Sequence, residues 1–342
     1  MKQLKQWISI PALILTVYGI SYYIETFNTP QSGPEETSYR SSTVEPLQMP
    51  EDLVKGRALL GRELFSDKRL SKGNQISCQS CHDFSKGGAD SRQFSVGIDG
   101  KLGGINSPTV FNSGKNFKQF WNGREDDLSS QVNGPIHNPV EMGTTWEEIV
   151  AKLKADDLMV QWFKEVFGDE ISKERIISAI VEFENALVTV DSPFDRFLKG
   201  DRAALTEDQI SGFYKFENYG CIACHQGENI GGNMFQSMGV AFNYFSERGG
   251  KFESDMGRFA VTGNEHDRHV FKVPSLRNVQ LTAPYFHDGS EPSLENAVKK
   301  MARYQLGRKL PKEDLRDITE FLKSLTGKKP RILSEAYETV KK

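Results

Sequence analysis

The chain has 342 residues, of which 26% are charged and 37% hydrophobic, and its formal net charge is −3. This length allows two packed domains, and the balanced composition argues against wholesale disorder. Since no strongly basic surface is implied, we expect no nucleic-acid partner.

The N-terminal residues have the pattern of an export signal or a membrane anchor. MKQLKQ is basic, and the stretch from Trp7 to Ile24 then carries no charged residue. A basic start followed by an apolar run is typical of a signal peptide or an anchor, and this run is near the shortest that spans a bilayer. Because no A-x-A cleavage pattern precedes Glu25, residues 1–27 are interpreted as a membrane anchor in preference to a cleaved signal. Both interpretations place the remainder in the periplasm, either tethered or soluble.

Residues 28–50 are rich in Pro, Ser, Thr and Glu. Such a composition buries too little apolar surface to order itself, so this stretch is predicted to be a flexible linker. Folded structure is expected to begin near Pro50.

The remaining chain shows helical periodicity, and the fold class is predicted to be mainly α. Thr144 with Glu147, and Thr206 with Gln209, form capping-box patterns at two helix starts. Two segments rich in Gly and Asn, 84–140 and 226–291, show no period and are predicted to be ordered loops. The predicted helices cover 51–65, the stretch from Thr145 to Phe167, 174–190, the stretch after Thr206, SLENAVKKMARY, and KEDLRDITEFLKSL between Pro311 and Gly327.

All four cysteines lie in two C-x-x-C-H motifs, CQSCH and CIACH. This pattern is the attachment signature of c-type haem, in which two thiols bond the haem and the histidine ligates the iron. A four-cysteine zinc site does not require the histidines, and a disulfide across two residues is strained. Two covalent haem c groups are therefore predicted, in tandem cytochrome c-like domains at 51–190 and 191–342. Their ligating residues are Cys78, Cys81 and His82, and Cys221, Cys224 and His225.

From about Leu53 to Pro330 the chain resembles the bacterial di-haem cytochrome c peroxidases. The resemblance rests on long segments in the same order, including GRELFSDKRLS, NSPTVFNSGKNFKQFWNGREDDL, GPIHNPVEM, DSPFDRFLKGD, VPSLRNVQLTAPYFHDGS and MARYQLG. It implies that hydrogen peroxide is reduced at the first haem. Electrons would enter at the second haem from a small cytochrome c or cupredoxin. A calcium ion between the domains and a homodimer are also implied.

The resemblance assigns roles to individual residues. Met301 matches the axial methionine of the second haem, which raises its potential. Glu141 matches the acid–base glutamate of the peroxide site, with Gln131 as its polar neighbour. Trp121 matches a tryptophan between the haems that relays electrons or fills space. Calcium would be bound by Asn106 and by the backbone carbonyls of Thr282 and Pro284.

One position departs from the family pattern. In well-known members a histidine in the loop after the first motif ligates the first iron until the second haem is reduced, and Ile98 stands there in this chain. Isoleucine offers no lone pair, and Asp99 is a weak axial ligand. We therefore expect a first haem that is open or water-bound at rest, the rival being that His137 substitutes for the missing histidine. His287 is expected to be a structural hydrogen-bonding residue, and His266 and His269 to be loop residues.

Two alternatives stay open. The chain could oxidise a partner protein, like the related enzymes that mature a tryptophan-derived quinone. Those enzymes also lack the displaceable histidine, but they replace the axial methionine by tyrosine, and Met301 argues against this reading. A purely electron-transferring or redox-sensing cytochrome would have no need of Glu141 and Gln131.

Overall fold

The computed structural model describes residues 43–336, and α-helices are the main secondary structure in this range. The prediction of a mainly α fold is confirmed for this range. Strands β1 (Phe235–Ser237) and β2 (Val270–Lys272) pair antiparallel, with Phe235 opposite Lys272. The α-helices are α1 Lys55–Ser66, α2 Leu128–Gln131, α3 Asn133–His137, α4 Trp146–Lys154, α5 Asp157–Phe167, α6 Lys173–Ala186, α7 Pro193–Leu198, α8 Glu207–Asn218, α9 Tyr244–Arg248, α10 Phe259–Thr262, α11 Leu294–Leu306 and α12 Lys312–Lys323.

The first hydrophobic core forms around the pair α1 and α6. The two helices approach closely at Gly61, where an added Cβ would lie 1.9 Å from the carbonyl oxygen of Ala179. A larger side chain at this position would force the helices apart. The buried residues of this cluster run from Ala58 to Leu187, and Ile332 from the C-terminal region joins them.

The second core repeats this construction with α8 and α12. Here an added Cβ at Gly212 would lie 1.9 Å from the carbonyl oxygen of Asp317. The buried residues run from Phe194 to Leu325 and are rich in phenylalanine, and Val44 joins them. The expected domain boundary at 190/191 lies between Leu187 of the first cluster and Phe194 of the second, but the described residues form one compact unit, so the division into two domains stays a prediction.

Helix starts follow the predicted caps with one shift. Thr206 caps α8 in a reciprocal capping box with Gln209, as predicted. The cap of α4 is Thr145, one residue later than the predicted Thr144, because the Thr145 side chain accepts from the Glu148 amide. The predicted helix from Thr145 to Phe167 is two helices, since Asp156 caps a new start at α5.

Residues 43–50 lie within the predicted linker, yet part of this stretch is folded. Val44 and Leu47 are buried, and Val44 belongs to the second core. The Leu47 amide donates to Asp195 Oδ1 at 3.0 Å. Folded structure therefore begins before Pro50, because Val44 packs into the second core and the Leu47 amide is bonded to Asp195.

The predicted anchor, residues 1–27, and the linker up to residue 42 lie outside the described residues. Within residues 43–336 no helix is long and apolar enough to cross a membrane.

Candidate functional site

The two C-x-x-C-H motifs adopt the same backbone turn. Each begins with a short 3-10 helix, at Cys78–Ser80 and at Cys221–Ala223. The amide of His82 donates to the Cys78 carbonyl at 3.0 Å, and the amide of His225 donates to the Cys221 carbonyl at 3.1 Å. The shared turn holds each histidine in the same relation to its two cysteines.

At the first motif, His82 is prepared to act as a metal ligand. Its Nδ1 lies 3.3 Å from the carbonyl oxygen of Gly88. Burial lowers the pKa of His82, so the imidazole is neutral near pH 7. A neutral ring that donates from Nδ1 leaves Nε2 free for iron, which is the usual arrangement for a ligating histidine.

All four cysteines of the two motifs are half-buried. Burial raises the pKa of the Cys81 and Cys221 thiols to about 11. The same cause raises the pKa of Cys78. Burial therefore favours the neutral thiol at Cys78, Cys81 and Cys221.

The second motif opens onto a large cavity. Met301 on α11 lines this cavity, together with Ala297, Ala302 and Gln305 of the same helix. The thioether of Met301 and the imidazole of His225 thus share one space with both cysteines. The cavity residues that matter below are Cys221, Cys224, His225, Met301, Trp121, Lys272, Asn106, Thr282, Pro284 and His287.

The His225 imidazole is desolvated at this cavity. Burial lowers its pKa to about 4, and the backbone of Ile230 and Pro274 offsets this only in part. In the described part of the chain its buried Nδ1 has no hydrogen-bond partner of good geometry. A neutral imidazole, a thioether, two thiols and a mainly apolar wall fit a covalently bound haem with histidine and methionine ligands.

Glu141 lies beside the first motif. Its Oε1 accepts from Asn138 Nδ2 at 2.7 Å. Burial raises the pKa of Glu141, while the Asn138 hydrogen bond and the charge of Arg124 oppose that rise. The Glu141 charge also acts on the Cys81 thiol, which places this carboxyl at the first site. Gln131 lies half-buried at the end of α2.

Sequence reasoning did not single out Arg124. Its guanidinium carbon lies 3.3 Å from the ring centroid of Phe120. Burial lowers the pKa of Arg124, and the charge of Glu141 opposes this effect. Arg124 is therefore a cation held next to the candidate acid–base group, and its place in the QFWNGREDDL segment was the signal that could have identified it.

The loop at Ile98 packs onto the Glu141 segment. Ile98 is buried, and its amide donates to the Glu141 carbonyl at 2.9 Å. Asp99 is exposed and accepts from Gln75 Nε2 at 2.9 Å. His137 is also exposed, with its Nδ1 3.3 Å from the Thr144 carbonyl. In this conformation the two candidate substitutes for the missing histidine are thus turned to surface partners.

Trp121 connects the two halves of the molecule. Its indole Nε1 donates to the Asn106 carbonyl at 2.9 Å. Its own carbonyl accepts from the amide of Lys272 at 2.8 Å, on strand β2. Its ring meets His287 edge-on, with centroids 6.4 Å apart. The tryptophan predicted to lie between the haems therefore spans from the first-domain loop to the wall of the second cavity.

The three residues expected to bind calcium line one part of the same cavity. Asn106 is buried, and its Nδ2 donates to the Arg92 carbonyl at 2.8 Å, which directs Oδ1 elsewhere. Thr282 and Pro284 flank the cis peptide bond between Ala283 and Pro284. Within residues 43–336 no group of three or more His, Cys, Asp or Glu side chains could hold a metal, so a cation here would depend on amide and carbonyl oxygens.

The other histidines have structural partners. His287 Nε2 lies 2.8 Å from Asp255 Oδ1, and the His287 ring stacks on Phe271. His269 stacks on Phe245, with centroids 3.9 Å apart. His266 is exposed on a short 3-10 helix.

Comparison with known proteins gives a consistent result. The family model of di-haem cytochrome c peroxidase matches residues 55–203. The cytochrome c551 peroxidase of Nitrosomonas europaea is 49% identical over 277 residues, covering 80% of each chain. The cytochrome c peroxidase Ccp of Escherichia coli is 45% identical over 308 residues, and the match spans 89% of this chain but 64% of that protein.

Solved structures share the fold. A MauG-like protein associated with microbial copper homeostasis superposes with a TM-score of 0.72 at 29% identity, covering 84% of this chain and 95% of its own. The diheme peroxidase BthA from Burkholderia thailandensis superposes with a TM-score of 0.69 at 19% identity, covering 83% and 90% of the two chains, and at this identity it shows the fold alone. The chain belongs to the di-haem cytochrome c peroxidase family.

Proposed function

We propose that the chain is a cytochrome c peroxidase that reduces hydrogen peroxide to water with two electrons from a small donor protein, a cytochrome c or a cupredoxin. The observation that carries this proposal is the half-buried carboxyl of Glu141 beside the first C-x-x-C-H motif. An electron carrier has no use for an acid–base group at a haem. Family membership and the high identity to two peroxidases support the same activity.

Haem held at Cys78 and Cys81 would supply the iron for peroxide activation, and haem held at Cys221 and Cys224 would supply the entry point for electrons. His82 would hold the first iron, and His225 and Met301 would hold the second. The neutral, buried imidazoles and the shared cavity of His225 and Met301 support this assignment.

Glu141 moves the proton. As a carboxylate it takes a proton from the near oxygen of peroxide, and as an acid it returns the proton to the departing oxygen. Asn138 holds one carboxyl oxygen in place, so the other is left to face the substrate. Gln131 hydrogen-bonds peroxide or water at the same site.

Trp121 provides the electron route between the two sites. Its hydrogen bonds to Asn106 and Lys272 fix the indole between the first-domain loop and the second cavity. A rigid aromatic ring in this position shortens the gap that an electron must cross.

The first site is active without prior reduction. Ile98 provides no ligand, and Asp99 and His137 engage Gln75 and the Thr144 backbone instead. An electronic and EPR spectrum of the fully oxidised protein tests this point. A high-spin first haem is expected, and two low-spin ferric haems would contradict it.

Oxidation of a partner protein is the weaker reading. The MauG protein of Methylophilus methylotrophus is 30% identical over 310 residues, well below the peroxidase relatives. Met301 on the cavity wall supports methionine ligation at the second site, which favours the peroxidase.

Calcium, membrane attachment and assembly complete the proposal. Asn106, Thr282 and Pro284 bind calcium, residues 1–27 tether the protein in the periplasm, and the protein forms a homodimer. Peroxidase activity should be measured before and after calcium is removed with a chelator, and the molar mass should be measured by light scattering under the same two conditions. Asn106→Ala is the variant of the proposed calcium site. Fractionation of cells tests the tether.

The decisive experiment is steady-state peroxide consumption with reduced cytochrome c, with and without prior half-reduction of the enzyme. Turnover in both states is expected. Absence of turnover in both states would overturn the peroxidase proposal, whereas turnover only after half-reduction would contradict the open first site alone.

A further inference from the structure

We propose that Lys272 is the counter-ion for an acidic group of the cofactor in the second cavity, and that its charge raises the reduction potential of that cofactor. The inference rests on the proposed function only in that a haem occupies the second motif. Lys272 has no role in the assignments above.

Lys272 is a buried cation on the wall of this cavity. It ends strand β2 opposite Phe235, and its side chain lines the cavity together with His225 and Met301. Only 7% of the residue is exposed. Its amide is bonded to the carbonyl of Trp121, so the backbone cannot move away from the cavity without breaking that bond.

The ammonium group lacks a protein partner. Among residues 43–336 no ion pair or side-chain hydrogen bond of Lys272 is present, whereas the buried Arg277 has Asp195 at 2.6 Å. Burial lowers the pKa of Lys272 to about 8, and no acidic neighbour opposes this. A buried lysine without an anion is costly, because desolvation of the charge is not compensated.

Haem supplies the missing charge. It carries two propionate carboxylates, and an ammonium–carboxylate hydrogen bond in a desolvated site is short and strong. Reduction of the iron adds one negative charge to the cofactor. A fixed cation nearby stabilises the reduced form more than the oxidised form, so it raises the potential and favours electron entry at this site.

The test is a potentiometric titration of the second haem in the holoprotein. Lys272→Gln should lower the equilibrium constant for its one-electron reduction by about tenfold or more, which corresponds to about 59 mV. Lys272→Arg, which keeps the charge, should stay close to the wild type. The matched control is Lys299→Gln, an exposed lysine on the helix of Met301. A charge at the surface is screened by solvent and salt, so removing it should change the equilibrium constant for haem reduction far less.

Each other outcome also decides the matter. An unchanged constant in Lys272→Gln, or an equal loss in Lys272→Arg, overturns the proposal. Loss of the second haem from Lys272→Gln but not from Lys272→Arg supports a charge that binds the cofactor, and loss from both contradicts it. A potential that depends on chloride concentration in the wild type but not in Lys272→Gln would assign the anion to solution and overturn the cofactor assignment. Because potentials are measured without peroxide, failure of the peroxidase proposal remains separate.

Discussion

The backbone amide of Ile98 donates a hydrogen bond to the carbonyl oxygen of Glu141 at 2.9 Å. Two glycines allow the Ile98 loop and the Glu141 segment to approach closely. An added Cβ at Gly97 would lie 1.9 Å from the Val140 carbonyl oxygen, and one at Gly143 would lie 2.5 Å from Ile98 Cδ1. Ile98, at the position where the family resemblance leads us to expect a histidine ligand, is thus packed directly onto the segment of the proposed acid–base residue.

Ile98→His should restore dependence on prior reduction. The new imidazole supplies a nitrogen ligand, so the oxidised protein should gain a low-spin signal at the first haem. Peroxide turnover of the oxidised enzyme should fall by about tenfold or more, as when a tenth of the molecules is competent, and recover on half-reduction. Ile98→Leu is the control and should keep the wild-type spectrum. An oxidised Ile98→His enzyme with unchanged spectrum and turnover would refute the equivalence of the two positions.

Glu141→Gln should abolish proton transfer while leaving the haem sites intact. We expect kcat to fall by roughly 10²–10⁴-fold, the usual contribution of a positioned acid–base group. Haem content and the spectrum of the second haem should stay unchanged. Glu147→Gln, on the exposed first turn of α4, is the matched control. Full activity in Glu141→Gln would remove Glu141 from the mechanism.

Removal of the Arg124 charge should shift the pH dependence of kcat/KM. Glu141 accepts a proton only as a carboxylate, so kcat/KM should fall as the pH drops through its pKa. Burial raises that pKa above the ordinary 4.5, and the charge of Arg124 lowers it. Arg124→Gln should therefore move the acid limb of the profile to higher pH. Arg92→Gln, which removes an exposed cation that acts on Cys81, should leave the limb in place. A limb that stays fixed in Arg124→Gln would show that this cation does not act on the catalytic carboxyl.

Glu184 should make stability depend on pH. Burial raises its pKa from 4.5 to about 8, and its Oε2 has no hydrogen-bond partner among residues 43–336. Between these pH values the folded protein binds a proton that the unfolded chain releases. Stability should therefore fall as pH rises through this window, by up to about 1.4 kcal/mol per unit.

Glu184→Gln removes this dependence, so its advantage over the wild type should grow from pH 5 to pH 8. Denaturant unfolding of the holoprotein measures it. Glu174→Gln, exposed on the first turn of the same helix, should change stability by less than about 1 kcal/mol. Parallel curves for wild type and Glu184→Gln would mean that Glu184 is not a buried neutral acid.

The buried pair of Arg277 and Asp195 should be a major support of the second domain. Both side chains are fully buried, 2.6 Å apart, and Asp195 also accepts from the Leu47 amide. Asp195→Asn should cost about 3–5 kcal/mol, because it leaves a buried charge unpaired. Hydrogen exchange near Leu47 should increase. Asp201→Asn, in the exposed pair with Arg196, should cost about 0–1 kcal/mol. Equal losses in the two variants would rule out this role.

The sequence was informative where the signal is local. Periodicity and capping predicted the longer helices, and the cysteine spacing predicted two haem attachment motifs, which adopt equivalent turns in the structure. Helices α2, α3, α9 and α10 lie inside the predicted loops, because four or five residues are too short to display a period.

The remaining features depend on partners far away in the chain. Val44 and Leu47 stand in a polar stretch, and their burial becomes evident only with Asp195 and Arg277 in place. In the sequence alone, nothing distinguishes Arg124 and Lys272 from ordinary charged residues of the surface. Only the fold shows that Lys272 is buried beside a cavity and that the charge of Arg124 acts on the Glu141 carboxyl.

The bonds that hold Trp121 have a mechanical consequence. Its carbonyl accepts from Lys272, its indole donates to Asn106, and the Asn106 amide donates to the His287 carbonyl. Any motion that separates Trp121 from the wall of the second cavity must break these hydrogen bonds. The proposed path for electrons runs through the same residues, so such a motion would interrupt electron transfer without requiring either hydrophobic core to unfold.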